Sequence, residues 1–329
     1  MALANYPDMT EVLKARARLA GRIQLTPTVE SRSLSARLGA PVLLKMEQRQ
    51  TTGSFKLRGA MNAVLSLSEE ERARGVTAAS TGNHGRGLAY AAKETGARAV
   101  ICMSELVPQN KVQGIERLGA EIRIVGKSQD DAQVEVDRLV AEEGLTMLPP
   151  FDHPQIIAGQ GTLGLEMLEQ APELETVLVP LSGGGLISGV ALALKALKPS
   201  IRVVGVSMER GAAMEQSLKA GKPVFVEELP TLADSLGGGI GLENRYTFEM
   251  VRERVDEVIL LTEEEIAAAV RHAYWEEQEV VEGSGAVGIG AILAGKLKNA
   301  GGPVGVLLSG RNIDMGLHHK LVSGGTVEI

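Results

Sequence analysis

The chain has 329 residues, 44% of them hydrophobic, with 39 glycines, 3% aromatics and a net charge of −7. That length and apolar content suit two domains or one large α/β unit with a sizeable core. Acidic balance and scarce aromatics argue against nucleic-acid and anionic-membrane partners, so an anionic ligand must be held by local geometry.

Taken in chain order, Thr10-Glu11 opens a predicted N-terminal helix and Val42–Met46 reads as the first strand. A lysine, Lys56, then stands among small and apolar neighbours in Gly53-Ser-Phe-Lys-Leu-Arg-Gly-Ala60. A weak strand at Gly75–Ala79 leads through Ser80-Thr-Gly-Asn-His-Gly85 into a helix over Arg86–Glu94. Arg98–Met103 and Glu121–Val125 follow as strands, and Pro149-Pro150 is the best hinge between lobes. Thr176–Leu181 runs into Ser182-Gly-Gly-Gly185 and a helix from Leu186. Further strands cover Arg202–Ser207, Glu257–Thr262 and Val304–Ser309, with a capping box at Thr262–Glu265. Most of these runs are apolar on both faces, as in parallel strands covered by helices. The alternation predicts doubly wound α/β architecture.

Cys102 is the only cysteine. It sits in a strand-like run and reads as inert core, in a chain suited to a reducing, cytoplasmic compartment. Five histidines without an HExxH or Cys/His cluster predict no zinc site. No stretch of about 18 apolar residues and no apolar leader is evident, so the chain reads as soluble. Only about 20 residues follow the last strand, which leaves no room for an appended domain.

Four segments carry chemistry. A partly desolvated lysine loses basicity and becomes an amine nucleophile. Such amines form Schiff bases with carbonyls, including the aldehyde of pyridoxal phosphate. Three glycines between a strand and a helix read as a phosphate cradle in preference to a plain tight turn. The hydroxyls of Ser80 and Thr81 and the amide of Asn83 converge with exposed N–H groups at a helix start, a receptor for a substrate carboxylate. His84 reads either as a general base or as a fixer of the turn. Ser309, at the end of the last strand, matters if it meets a pyridine nitrogen. A neutral hydroxyl leaves that nitrogen largely unprotonated, which favours expulsion of a β-leaving group over transamination. Gly159–Gly164 and Gly283–Gly288 both match GxGxxG. Neither follows a convincing strand in a βαβ unit, so they read as helix-start or packing turns, and an NAD-dependent dehydrogenase is the distant alternative.

Ser54–Gly59, Ser80–Gly85, Pro150-Phe-Asp152 with Ala158–Thr162, Ser182–Gly185 and Ser309-Gly-Arg-Asn312 occur in one order from about residue 10 to 315. In this they resemble the serine/threonine dehydratase and serine racemase family of fold-type II pyridoxal-phosphate enzymes. The resemblance implies two doubly wound lobes with mainly parallel sheets, similar to the tryptophan synthase β-chain. Residues 1–51 and 147–329 would form the large cofactor-binding domain, with 52–146 inserted as the small one. It implies that Lys56 holds pyridoxal 5′-phosphate and moves the α-proton. Phe55 would stand beside the ring, Asn83 would bond its phenolic oxygen, Ser182, Gly183, Gly184 and Gly185 would hold the phosphate, and Ser309 would meet the ring nitrogen. Ser80, Thr81, Asn83 and His84 would hold the substrate carboxylate. The implied activity is loss of water from a β-hydroxy amino acid of the threonine/serine type, giving a 2-keto acid and ammonia, in a cytoplasmic homodimer.

Four departures bear on that activity. Thr81 stands where racemases carry serine on the ring face opposite the lysine, which disfavours the alternative of an amino-acid racemase. Ser207 and Ala213 occupy the acid positions of metal-dependent members, with Glu209 displaced, so no metal is expected. Ala233-Asp-Ser-Leu-Gly-Gly-Gly239 suggests a roomier pocket, and Arg311 offers a carboxylate fork. The sequence also resembles the dehydratase-like proteins of hydroxyectoine utilisation, which leaves a bulkier or more acidic substrate open.

Overall fold

The computed structural model describes residues 6–80, 82–107, 109–325 and 327. Ten strands occur among them: β1 (Thr28–Glu30), β2 (Val42–Lys45), β3 (Val76–Ala79), β4 (Ala99–Met103), β5 (Glu121–Ile124), β6 (Thr146–Met147), β7 (Thr176–Pro180), β8 (Arg202–Met208), β9 (Glu257–Leu261) and β10 (Val304–Leu307). They form a six-stranded sheet in the order β1-β2-β10-β7-β8-β9 and a four-stranded sheet in the order β5-β4-β3-β6. Every pairing is parallel except β1 with β2, where Thr28 lies opposite Lys45 in an antiparallel edge. The chain is thus an α/β protein with two mainly parallel sheets, as expected.

Parallel neighbours need long crossovers, and helices supply them. Val, Ile and Leu on β7, β8 and β10 are buried on both faces, and they pack into two clusters, one on each side of the large sheet. A third cluster covers the small sheet. Cys102 is buried in β4, and burial pushes its thiol up to about 11, which makes it inert.

Several local expectations need correction. β5 is largely exposed, because it is the edge strand and carries Glu121 and Arg123. β1 and β6 have three and two residues, too few to show a hydrophobic period. The N-terminal helix runs Met9–Leu19 and is capped by Asp8, not Thr10; the Asp8 carboxylate accepts the Glu11 N–H at 3.1 Å. The helix after the Ser80–Gly85 segment begins at Asn83 and runs to Thr95, so Asn83 and His84 belong to its first turn. Gly159–Gly164 lies inside the Pro154–Gln170 helix. It is a packing segment, since a Cβ on Gly159 would come within 2.6 Å of the Arg58 carbonyl. Gly283 does start a helix, Gly283–Leu293. The capping box at Thr262 is present, with Thr262 Oγ1 accepting from the Glu265 N–H and the Glu265 carboxylate accepting the Thr262 N–H.

Candidate active site

Lys56 is the first residue of the Lys56–Ser66 helix. The chain reaches it from a turn tied to the end of β10. Phe55 donates its N–H to the Ser309 carbonyl at 3.0 Å, and Ser54 bridges to Gly310. The helix is wedged among its neighbours by small residues; a Cβ on Gly87 would lie 3.2 Å from the Lys56 main chain. Two residues on, Arg58 is fully buried and pairs with Glu47 at 2.8 Å and Glu166 at 2.6 Å. Lys45 joins the same network through Glu166 at 2.7 Å. Breaking one partner of such a buried network costs about 3–5 kcal/mol, so the start of the Lys56 helix is held rigidly.

Lys56 lines a cavity together with Phe55, Asn83, Ser182–Leu186 and Ser309, among others. Lys56 Nζ donates to the Pro150 carbonyl at 2.8 Å and lies 5.4 Å from the Phe55 ring centre. Burial lowers its pKa from 10.5 to about 8, and the Glu282 carboxylate partly opposes that fall. A fraction of the amine is therefore neutral near physiological pH, as a nucleophile requires.

Opposite the lysine, Ser182-Gly183-Gly184 leads from β7 into the Gly185–Leu197 helix. Gly184 adopts φ +88°, a left-handed conformation that glycine takes without strain. The first intrahelical bond is Ser188 N–H to the Gly184 carbonyl, so the N–H groups of the opening turn have no acceptor within the helix. With the helix dipole behind them they favour an anion. A Cβ on Gly183 would collide with the Phe151 ring at 2.5 Å.

The structure gathers Phe55, Lys56, Asn83, Ser182, Gly183, Gly184, Gly185 and Ser309 around one cavity. It engages Ser80 and His84 elsewhere. Ser80 Oγ accepts the Gly85 N–H at 3.0 Å, and buried His84 bonds the Leu148 carbonyl through Nε2 at 2.8 Å. Desolvation and the nearby Lys56 charge push His84 down to about 3, so it stays neutral. Thr81 lies outside the described residues. Arg311 is exposed and is not among the cavity residues. Glu209 sits 3.6 Å from Lys296 Nζ.

Sequence reasoning gave no cavity role to Phe151, Pro180, Leu186, Glu282 and Ser284, whereas Ser235 and Leu236 belong to the Ala233–Gly239 segment it read as shaping the pocket. Glu282 carried a signal nonetheless, since a lone acid inside Val-Val-Glu-Gly-Ser-Gly is a buried charge in need of a partner. Asp152 also has a task. Its carboxylate accepts three main-chain N–H groups, from Arg245 at 2.7 Å and from Tyr246 and Thr247 at 2.9 Å. It thereby caps the Thr247–Arg254 helix and anchors the Pro150–Asp152 segment that faces Lys56 and Gly183.

Sequence comparison decides the family. Residues 19–310 match the family described as pyridoxal-phosphate dependent enzyme. The chain belongs to that family. A Sinorhizobium fredii protein provisionally named a threonine dehydratase is 61% identical over 96% of both chains. An L-threo-3-hydroxyaspartate ammonia-lyase of Saccharomyces cerevisiae is 39% identical over 97% of both. Maize serine racemase superposes with a TM-score of 0.91 at 35% identity, covering 97% of each chain. Pyridoxal phosphate is the cofactor, and the cavity's donor set fits it. A near-neutral lysine, an anion-binding turn without side chains and the hydroxyl of Ser309 surround one volume. The buried Ser284 hydroxyl at the same cavity has no hydrogen-bond partner among the described residues.

Proposed function

We propose that this enzyme is a dehydratase of the ammonia-lyase type: it removes water from a β-hydroxy amino acid, and hydrolysis of the released enamine takes up water to give a 2-keto acid and ammonia. The observation that carries the reading is the enclosed Lys56 amine, facing a glycine phosphate turn in a chain with dehydratase relatives. Bound pyridoxal phosphate supplies an electrophilic aldehyde and an electron-withdrawing ring that acidifies the substrate α-carbon.

The chain's own residues do the rest. Gly183, Gly184 and Gly185, with Ser182, hold the phosphate against the helix N-terminus. Phe55 would lie beside the ring, and Asn83 would offer an amide N–H to the ring oxygen. Ser309 presents a hydroxyl rather than a carboxylate to the ring nitrogen, which leaves that nitrogen unprotonated and favours prompt loss of a β-hydroxyl. Lys56, with a pKa of about 8, would accept the α-proton at Nζ in the range where both of its forms are populated. Main-chain N–H groups of the Ser80–His84 segment, with Thr81 and Asn83, receive the substrate carboxylate. With its pKa lowered to about 3 and Nε2 engaged by the Leu148 carbonyl, His84 is too weakly basic to take a proton, which supports the fixing role rather than that of a base.

The positions of the two sheets support a large domain of residues 1–51 and 147–329 and a small domain of 52–146 with the cavity between them, except that Met147 pairs with Thr77 in the small sheet and so belongs with the small domain. No helix among the described residues is long and apolar enough to cross a membrane. We place the enzyme in the cytoplasm, as its free buried Cys102 supports, and as a homodimer on family resemblance.

The test is incubation of the purified holoenzyme with L-threonine, L-serine and threo-3-hydroxyaspartate. Ammonia and keto acid released in equal amounts support elimination and identify the substrate. Interconversion of L- and D-amino acid without ammonia would instead support the racemase.

A further inference from the structure

We propose that Glu282 is a positioning residue that, through Asn83, aims one amide N–H into the cofactor cavity and latches the Asn83 helix onto the large sheet. The inference rests on the reading that this cavity holds pyridoxal phosphate, and it adds a residue to which no role is given above.

A side-chain amide has one acceptor oxygen and two N–H donors. Asn83 Oδ1 accepts from Asn312 Nδ2 at 2.5 Å, while Asn312 Nδ2 also donates to the Thr52 carbonyl at 2.9 Å. Both Asn312 N–H groups are then committed. On the other side, Asn83 Nδ2 donates to Glu282 Oε1 at 2.8 Å. A carboxylate can only accept, so the nitrogen of Asn83 must face Glu282 and the amide is oriented from both ends. One N–H remains, on a side chain that lines the cavity.

Glu282 is itself held. It is 3% exposed, its N–H bonds the Gly310 carbonyl at 3.0 Å, and a Cβ on Gly310 would collide with Oε1. Asn83 follows β3 of the small sheet, whereas Asn312 follows β10 of the large one and Glu282 opens the Gly283–Leu293 helix, which packs on β7 and β8 of the large sheet. The Asn312–Asn83–Glu282 chain therefore spans the two sheets. Among the described residues, the Glu282 charge acts on two cations, Lys56 on the Lys56 helix and Arg86 on the Asn83 helix, while His84 on the Asn83 helix is neutral.

The experiment uses apo-protein titrated with pyridoxal phosphate. It reads the dissociation constant and the pH of half-maximal covalent capture in the wild type, Glu282→Gln and Glu282→Ala. Glutamine keeps an acceptor for Asn83 but removes the charge; alanine removes both. Glu282→Ala should weaken binding about tenfold, the worth of one well-placed hydrogen bond. Glu282→Gln should recover most of that affinity yet move half-maximal capture to lower pH, because an ammonium that loses a nearby carboxylate gives up its proton more readily. A merely structural Glu282 would lower the melting temperature of both variants and leave the capture profile unmoved. Wild-type affinity in Glu282→Ala, or a Glu282→Gln profile superimposed on the wild type, would overturn the proposal. If Glu282→Ala fails to fold, the Glu282→Gln profile decides. A wild-type protein that takes up no pyridoxal phosphate would contradict the reading of the cavity instead.

Discussion

Lys56 Nζ donates to the main-chain oxygen of Pro150 at 2.8 Å. The hydrogen bond joins the first residue of the Lys56 helix to the segment whose next residue, Phe151, packs on the phosphate turn and whose Asp152 caps a third helix. Nucleophile and anion site are thereby held at a fixed separation by one short stretch of chain. The same enclosure lowers the lysine's pKa, because few dipoles besides that carbonyl and the Glu282 charge replace the lost water.

The depressed lysine has a consequence for stability. Its folded pKa of about 8 lies below the ordinary 10.5. Below pH 8 both states carry the proton and the folded state bears the whole penalty of burying it. Between pH 8 and 10.5 the unfolded state binds more protons, so stability rises with pH. Apo Lys56→Met should therefore melt higher than apo wild type at pH 7, by about 2 kcal/mol after allowance for solvent reaching the cavity. The gap should close as the pH is raised through that window. Thermal melts of both apo-proteins across pH 7–10 check this, and a gap that stays constant with pH contradicts it.

At the phosphate turn, Gly183→Ala forces a methyl group to within 2.5 Å of the Phe151 ring. Relief requires the ring or the turn to move, at about 1–3 kcal/mol. Affinity for pyridoxal phosphate should fall about tenfold to a hundredfold, with little change in the far-ultraviolet circular dichroism. Equilibrium titration of the apo variant measures the loss.

Asp152→Ala removes the acceptor of three main-chain N–H groups at the start of the Thr247–Arg254 helix. The cost should be about 2 kcal/mol, read as a lower urea midpoint at unchanged slope. Asp152→Asn retains one acceptor and should recover part of it. Equal midpoints for the alanine variant and the wild type would show that the cap contributes nothing.

Ser309 is 4% exposed and lines the cavity. Ser309→Asp would place a carboxylate near the ring nitrogen and keep that nitrogen protonated. Release of keto acid with ammonia should drop at least about tenfold, and slow transamination should appear. Product analysis over long incubations distinguishes the two reactions.

Much of this arrangement was legible in the sequence because it depends on local pattern. The Val/Ile/Leu runs of β4, β7, β8 and β10 and the triple glycine after β7 announced strand, turn and helix within a few residues of their true bounds. Glu282 was not legible in the same way. Its partner Asn83 lies 199 residues before it, and Asn312, which bonds Asn83 in turn, follows it by 30 (312 − 282); only the fold brings the three together. The same holds for Phe151, whose ring meets Gly183 from another element. Ser80 and His84 share their segment with Asn83, yet Ser80 bonds within the turn and His84 ties it to the Leu148 carbonyl. A motif shows which residues travel together, but not which way each side chain points.

The most direct test of the central claim is reduction of the purified holoenzyme with borohydride, followed by peptide mass mapping, alongside ammonia and keto-acid assays with L-threonine, L-serine and threo-3-hydroxyaspartate. The account expects a yellow protein whose cofactor label falls on Lys56 and whose turnover with at least one substrate releases both products together. A label on a different lysine, or a colourless protein that stays unlabelled after added pyridoxal phosphate, would contradict it.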